Sequence, residues 1–303
     1  MESIHFAKMH GTGNDFIVIE EKNCMHIDDY GKLAKEICSR RFSIGADGLL
    51  IVFESDEADI KMSYYNSDGS LAKMCGNGMR CFAKYVYDKK IVNKTKFIVS
   101  TLAGMIEVEI EDAGENTRGR FNYVDYEDLR SKTQKNRPLV SQVAVNLGKP
   151  VFTPNKIPVL HDGERFINQK LEVDGENYTI SSILLGVPHA IIFRDELVEN
   201  EVRRIGAIIE RNSIFPKKTN VNFAKIISRT QIRVKTWERG AGYTMACGTG
   251  ASSVFVVASL LNIIAINKEI TVETDGGNLT LYFNEFEEVM LKGSAVLVFE
   301  GII

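Results

Sequence analysis

The 303-residue chain has no uninterrupted apolar run approaching the roughly 18 residues that a membrane helix needs, so none is expected. Its first ten residues, Met1 to His10, lack a basic segment followed by a continuous apolar stretch, which argues against a signal peptide. No block of one charge sign occurs. The 37 Lys and Arg and 40 Asp and Glu are interspersed and leave a net charge of −3, so no nucleic-acid surface is expected. No CxxC or HxxxH spacing and no histidine cluster accompany the cysteines, which disfavours a metal site. Those cysteines, Cys24, Cys38, Cys75, Cys81 and Cys247, are odd in number and form no tight disulfide framework. A reducing, cytoplasmic setting that leaves thiols available for chemistry fits them best. What remains is a chain 44% apolar and 25% charged, ordinary for a soluble globular protein and long enough for two domains.

Residues 4–20 read as a hairpin turning at Gly11-Thr12-Gly13-Asn14. Tyr30 to Arg40 reads as a helix, Leu49 to Phe53 and Ile60 to Tyr65 as strands. Gly76 to Tyr87 reads as a helix, because Met79, Phe82, Ala83 and Val86 recur at helical spacing. Lys96 to Ser100 and Met105 to Ile110 read as strands joined through Gly104. Glu111 to Arg137, rich in charge, Asn, Ser and Thr, reads as a loosely structured crossing between domains. The second half then repeats the first. Displaced by 172 positions, Cys75 falls on Cys247, Gly76 on Gly248, Gly78 on Gly250 and Asn66 on Glu238, and the strand Ile60–Tyr65 falls on Ile232–Trp237. Displaced by 175, the turn Gly11–Asn14 falls on Gly186–His189. The shared order of strand, turn, cysteine, glycine and helix indicates an internal duplication. The fold class expected is α+β, with two pseudo-symmetric lobes and an active site in the cleft between them.

In each copy a cysteine precedes glycines that open a helix: Cys75-Gly76-Asn77-Gly78 and Cys247-Gly248-Thr249-Gly250. A helix start offers unpaired N–H groups and positive potential, both of which stabilise a thiolate and are expected to lower a cysteine pKa. The same N–H groups hold a carboxylate. A pseudo-two-fold axis would bring both helix starts to one cleft. That arrangement suits the inversion of an amino-acid α-carbon. One thiolate removes the α-proton, the N–H groups stabilise the enediolate-like charge, and the other thiol returns a proton to the opposite face. Other uses of the cysteines are a redox dithiol, a zinc site, or a single nucleophile with His189 as base. Hydrolysis needs one cysteine, and the duplicated second argues against it.

Beyond the residue chemistry, the chain resembles the diaminopimelate epimerase family over essentially its whole length. The resemblance is carried by Lys8-Met9-His10-Gly11-Thr12-Gly13-Asn14-Asp15-Phe16, Ile44-Gly45-Ala46-Asp47-Gly48, Asn66-Ser67-Asp68-Gly69-Ser70, the two Cys-Gly-x-Gly segments, Pro188-His189, Thr219-Asn220-Val221-Asn222-Phe223 and Trp237-Glu238-Arg239-Gly240-Ala241-Gly242. It implies two lobes, each a mixed sheet wrapped around a central helix, with the last strand region returning to the first lobe. The expected division is residues 1–130 plus about 290–303, and 131–289. It also implies a cytoplasmic homodimer, no cofactor, a small amino-acid substrate, and a place in lysine and peptidoglycan precursor synthesis. By resemblance, Cys75 and Cys247 are the proton acceptor and donor. Gly76-Asn77 and Gly248-Thr249 hold the reacting carboxylate, and Asn14 borders the reacting centre. Asn66, Asn220, Glu238 and Arg239 grip the substrate, and His189 and Glu238 tune the cysteines. Arg239 suits a distal carboxylate because its planar fork binds carboxylates bidentately.

Three positions depart from the family's pattern. Val187 stands where the family carries Asn before Pro-His, removing an amide that recognises the substrate's far end. Gly48 stands where some members carry a Gln that touches substrate, and Tyr243 where Glu is often seen. Val187 and Gly48 are therefore the specificity candidates. The alternatives are a related racemase of another amino acid such as histidine, an epimerase of lanthionine, and a catalytically idle binding protein of the same fold. Retention of both cysteines weighs against the last, and the paired Cys-Gly-x-Gly motifs weigh against a phenazine-precursor isomerase.

Overall fold

The protein is described by a computed structural model covering residues 3–112 and 140–303. Of the expected crossing between domains, only Glu111 and Asp112 fall within the described residues. In chain order the first part comprises β1 (His5–Gly11), β2 (Asn14–Glu20), α1 (Tyr30–Ile37), β3 (Gly48–Phe53), β4 (Ile60–Asn66), β5 (Leu71–Ala72), α2 (Gly76–Asp88), β6 (Lys96–Thr101), β7 (Gly104–Asp112) and β8 (Val140–Asn146). The second comprises β9 (Gln169–Val173), β10 (Glu176–Leu185), β11 (Val187–Phe193), α3 (Glu199–Glu210), β12 (Asn220–Ser228), β13 (Gln231–Glu238), β14 (Gly242–Thr244), α4 (Gly248–Leu260), β15 (Ile270–Thr274), β16 (Gly277–Phe283), β17 (Val289–Gly293) and β18 (Val296–Ile302). The predicted helix at residues 30–40 stops at Ile37; the other predicted elements lie where the sequence placed them.

The duplication is visible in the strand pairing. From β1 the first ladder runs β2, β3, β4, β6, β7, β8, with β2–β3 and β4–β6 parallel and the rest antiparallel. From β10 the second runs β11, β12, β13, β15, β16, β17, with β11–β12 and β13–β15 parallel, at the same places in the order. β8 pairs with both β7 and β17 and so joins the ladders, while β18 lies on β1. β5 and β14 are short returns on β4 and β13 that lead into the two cysteine motifs.

Strand sequence explains the layers. In β2 the residues are apolar without alternation, and both faces are buried: Phe16 and Val18 face the helix α2, Ile17 and Ile19 face α1. α2 presents Met79, Phe82, Ala83 and Val86, all fully buried, to Val18, Leu50, Met62, Val99, Val108, Val143 and Val145. Truncating a ring such as Phe82 to alanine would cost about 3–5 kcal/mol. α4 is apolar on every side, as befits a helix enclosed all round, and packs with Ile191, Ala224, Val234, Leu279 and Leu291. α3 covers the outer face of the second ladder through Val202, Ile205 and Ile209, as α1 covers the first. Each ladder thus wraps one inner helix and carries one outer helix.

Candidate active site

The starts of α2 and α4 abut. Cys75 and Cys247 are the two N-caps, each extended (φ −140°, ψ 122° and φ −119°, ψ 109°), and each carbonyl accepts the first helical bond, from Met79 N at 2.8 Å and Ala251 N at 2.9 Å. Gly76 has open space where a Cβ would project, and the N–H groups of Asn77 and Gly78 point at the Cys75 sulfur. Asn77 Nδ2 crosses to the Ala246 carbonyl at 3.4 Å, tying one helix start to the other. Both cysteines line one cleft of about 490 Å³, together with Asn14, Asn66, Gly76, Asn77, Val187, Asn220, Glu238, Arg239, Gly248 and Thr249. A second space of about 790 Å³ adjoins it through Asn14, Tyr64, Asn66, Cys75, Glu238 and Arg239 and extends to Arg40, Asp47 and Tyr243. Among the described residues, no group of three or more His, Cys, Asp or Glu is placed to hold a metal.

The two sulfurs differ in their surroundings. Cys75 Sγ donates to Asn14 Oδ1 at 3.6 Å, and Asn77 Nδ2 donates to the same oxygen at 3.3 Å. Asn14 keeps its oxygen toward the sulfur, because Nδ2 donates to Asp47 Oδ2 at 2.5 Å and a flipped amide would set Oδ1 against that carboxylate. Asp47 is held in turn by Arg40, which also pairs with Asp15, and Asp15 with Lys8. Burial pushes Asp15 up, but Arg40 and Lys8 outweigh it and hold the carboxyl well below the usual range. Cys247 faces the Thr249 hydroxyl at 3.5 Å, the Gly250 N–H and the Glu238 carboxylate.

Burial reverses the expected cysteine pKa. Removal from water pushes Cys75 up to about 11, although the N–H groups of Gly78 and Asn77 act to lower it. Burial and then the Glu238 charge push Cys247 well above its ordinary value. Desolvation disfavours a thiolate more than a helix start favours it when the cleft holds no cation. Burial also raises Glu238, against the hydrogen bonds from Thr244 Oγ1 (2.6 Å) and Cys247. A carboxyl raised in this way is a better match, as a base, for a thiol.

Other predicted residues are placed less directly. His189 is fully buried behind Thr249 rather than in the cleft wall, with Nε2 3.0 Å from Thr249 Oγ1. Burial lowers its pKa to about 3, and Arg239 adds to the effect, so the ring is neutral. Asn220 donates to the Pro188 carbonyl (3.0 Å) and accepts from Arg239 N (2.8 Å), which shapes the turn after β13. The Arg239 guanidinium is exposed and touches the Lys217 carbonyl at 2.9 Å. Asn66 donates to Ser70 Oγ at 2.9 Å. Gly48 does not reach the cleft with a side chain of its own. A Cβ there would lie 2.5 Å from the Tyr64 ring and 2.6 Å from the Tyr65 carbonyl, and Tyr64 lines the cleft in front of it. Tyr243 bonds Asp275 and Lys235 beneath the Arg203 guanidinium, closing the far wall.

Sequence reading missed Tyr64, Asp47 and Asn222. Asn222 was within reach of it: on a strand, residues two apart share a face, so Asn222 points the same way as Asn220.

A family model described as "Diaminopimelate epimerase" matches residues 6–124 and 181–298. The diaminopimelate epimerase of Alkaliphilus metalliredigens (strain QYMF) is 48% identical over 299 residues, covering 99% of this chain and 97% of that one. That of Clostridium perfringens (strain 13 / Type A) is 42% identical over 296 residues, 98% of each. Among solved structures, a Bacillus anthracis phenazine biosynthesis protein of the PhzF family has a TM-score of 0.69 at 14% identity, covering 100% of this chain and 99% of that one. A hydroxyproline epimerase from Agrobacterium vitis, with bound trans-4-OH-L-proline, has a TM-score of 0.65 at 11% identity, covering 100% and 92%. At such identities the structures show the shared fold alone.

Proposed function

The chain belongs to the diaminopimelate epimerase family, and we propose that it inverts one α-carbon of L,L-diaminopimelate to the meso form by a two-base reaction between Cys75 and Cys247. The reading rests chiefly on one observation: two cysteine-capped helix starts abut at a single cleft that both thiols line. The substrate α-carboxylate lies across the N–H groups of Gly76-Asn77 and Gly248-Thr249. Its α-ammonium brings the positive charge that a buried thiolate lacks. Glu238 accepts the Cys247 proton, and the Cys247 thiolate takes the α-proton. Charge develops on the carboxylate as an enediolate, where the helix-start N–H groups are already aimed. The Cys75 thiol, held toward Asn14, protonates the opposite face. In the reverse direction the Cys75 thiolate left by that step takes the α-proton, and the Cys247 thiol returns a proton to the opposite face.

Arg239 and Asn66 take the distal amino-acid group, with Val187 and Tyr64 shaping that end. In this reading the enzyme needs no cofactor, acts in the cytoplasm as a homodimer, and serves lysine and peptidoglycan precursor synthesis. The lobe division at residues 1–130 with about 290–303, and 131–289, belongs to the same proposal, with β8 as the strand common to both. Val187 in the cleft wall favours one second reading, a racemase or epimerase of another amino acid such as histidine or lanthionine, since an amide there is lost.

Reduced protein in D₂O, given L,L-diaminopimelate or L-histidine separately, distinguishes these by mass spectrometry and chiral chromatography. Deuterated meso-diaminopimelate with histidine untouched is the expected result. Deuterated D-histidine with diaminopimelate inert would overturn it.

A further inference from the structure

We infer that Asn222, on β12 behind the cleft, fixes the tautomer of His189 and through it aims the Thr249 hydroxyl at the Cys247 sulfur. Asn222 Nδ2 lies 3.2 Å from the Ala190 carbonyl, which can only accept, and 3.1 Å from His189 Nδ1. Its Oδ1 accepts from Thr236 Oγ1 at 3.1 Å. A flipped amide would set its oxygen against the Ala190 oxygen and leave a buried carbonyl unpaired, so the orientation is determined. Both Asn222 amide hydrogens are then used, one on Ala190 and one on His189 Nδ1. A ring nitrogen that accepts has no proton of its own. The proton of this neutral imidazole is therefore on Nε2, where it is donated to Thr249 Oγ1 at 3.0 Å. With its lone pair engaged, the Thr249 hydroxyl has its hydrogen free for Cys247 Sγ, 3.5 Å away.

The members behind the cleft are shielded from water, while Thr249 itself is half-buried and lines the cleft. Asn222 and His189 are 0% exposed and Thr236 is 3% exposed. The packing leaves no slack, since a Cβ on Gly250 would stand 2.2 Å from Asn222 Oδ1. The second glycine of Cys247-Gly248-Thr249-Gly250 is thus required by the amide behind it as well as by any ligand in front.

The relay gives Cys247 a fixed donor that a thiolate accepts better than a thiol does. The groups acting on Cys247 are Glu238, which opposes ionisation, and the Thr249 hydroxyl and Gly250 N–H, which favour it. Asn222 and His189 are positioning residues, acting through Thr249. Only the catalytic consequence rests on the two-cysteine reading; the tautomer does not.

The test combines nitrogen NMR of histidine-labelled full-length protein with site-resolved alkylation of Cys247 by iodoacetamide across pH. The His189 signals are identified by their loss in His189→Gln. Wild type should show an unprotonated Nδ1 and a protonated Nε2. Asn222→Asp should draw the proton to Nδ1, leave Nε2 as an acceptor, and turn the Thr249 hydroxyl away from the sulfur. Thr249→Val should leave the tautomer alone, raise the apparent Cys247 pKa by about one unit and slow alkylation at pH 8 about tenfold; Thr249→Ser should restore it. A wild-type Nδ1 that carries the proton overturns the inference. So does a Thr249→Val protein whose Cys247 alkylation profile matches wild type. Both readouts hold whether or not diaminopimelate is turned over, so they separate this inference from the substrate assignment. Should Asn222→Asp fail to fold, the wild-type tautomer and the Thr249 pair still decide it.

Discussion

Lowering the pH from 7 to 5 should destabilise this fold by about 2 kcal/mol through His189 alone. The ring's pKa falls from 6.5 to about 3 on folding, because burial keeps out the water that a cation needs and Arg239 repels the charge. An unfolded chain binds a proton at this site below pH 6.5, while the native chain does not until about pH 3. Stability therefore falls with falling pH through that window and levels off beneath it. Between 6.5 and 5 the difference is 1.5 pH units at 1.36 kcal/mol each, which is about 2 kcal/mol. Glu238, whose raised pKa acts in the opposite sense, is common to both proteins compared. Urea unfolding of wild type and His189→Gln at pH 7 and pH 5 isolates the effect. The gap between the two proteins should narrow by about 2 kcal/mol at pH 5, since glutamine does not titrate. Equal losses of stability in both proteins would refute the argument, because the ring would then be charged or solvated in the native state.

The remaining expectations concern the cleft. Cys75→Ser and Cys247→Ser should each lower kcat for epimerisation by about 10²–10⁴ with the circular dichroism spectrum unchanged; full activity in either would end the two-base scheme. Val187→Asn places an amide at the wall of the cleft and should tighten KM for diaminopimelate severalfold, the effect of one hydrogen bond of about 1 kcal/mol, with little change in kcat. Gly48→Ala should destabilise by about 1–3 kcal/mol in urea unfolding, because its Cβ meets the Tyr64 ring and the Tyr65 carbonyl; a neutral result would mean that Tyr64 moves freely.

The sequence revealed more about order than about environment. Helical spacing in α2 and the repeat at 172 positions located both cysteine motifs, because spacing survives translation into three dimensions unchanged. The thiol pKa could not be read that way. The sequence shows a helix start, which favours a thiolate, but each thiol is also enclosed by strands of the other half, β11 and β13 for Cys75 and β2 and β4 for Cys247, and desolvation by them outweighs the helix. Gly48 misled for the same reason. Position 48 is occupied by a neighbour's ring, Tyr64, on the paired strand. His189 fell on the correct motif but one layer too deep, since its depth is set by Thr249 and Asn222 around it. Val187 and Arg239 reach the cleft because each sits at a strand end beside a turn, a position the motif did disclose.

The strand pairing also bears on how such a chain arose. β8 continues the first ladder, and the residues after it cross to the second, where Val151 bridges Leu184 of β10. β17 continues the second ladder, and β18 after it crosses back to β1 of the first. Each half therefore lends its tail to the other, in a reciprocal exchange. A single ancestral half, standing alone, would have had an uncovered edge at its first strand and a tail with nowhere to lie. Two identical copies would have satisfied each other, each donating a tail, with one thiol from each facing across their common axis. Joining such copies in one gene would freeze the exchange and release the two cysteines from identity. One site can then have two unlike sides, as here, where an asparagine stands beside the first cysteine and a glutamate and a threonine beside the second.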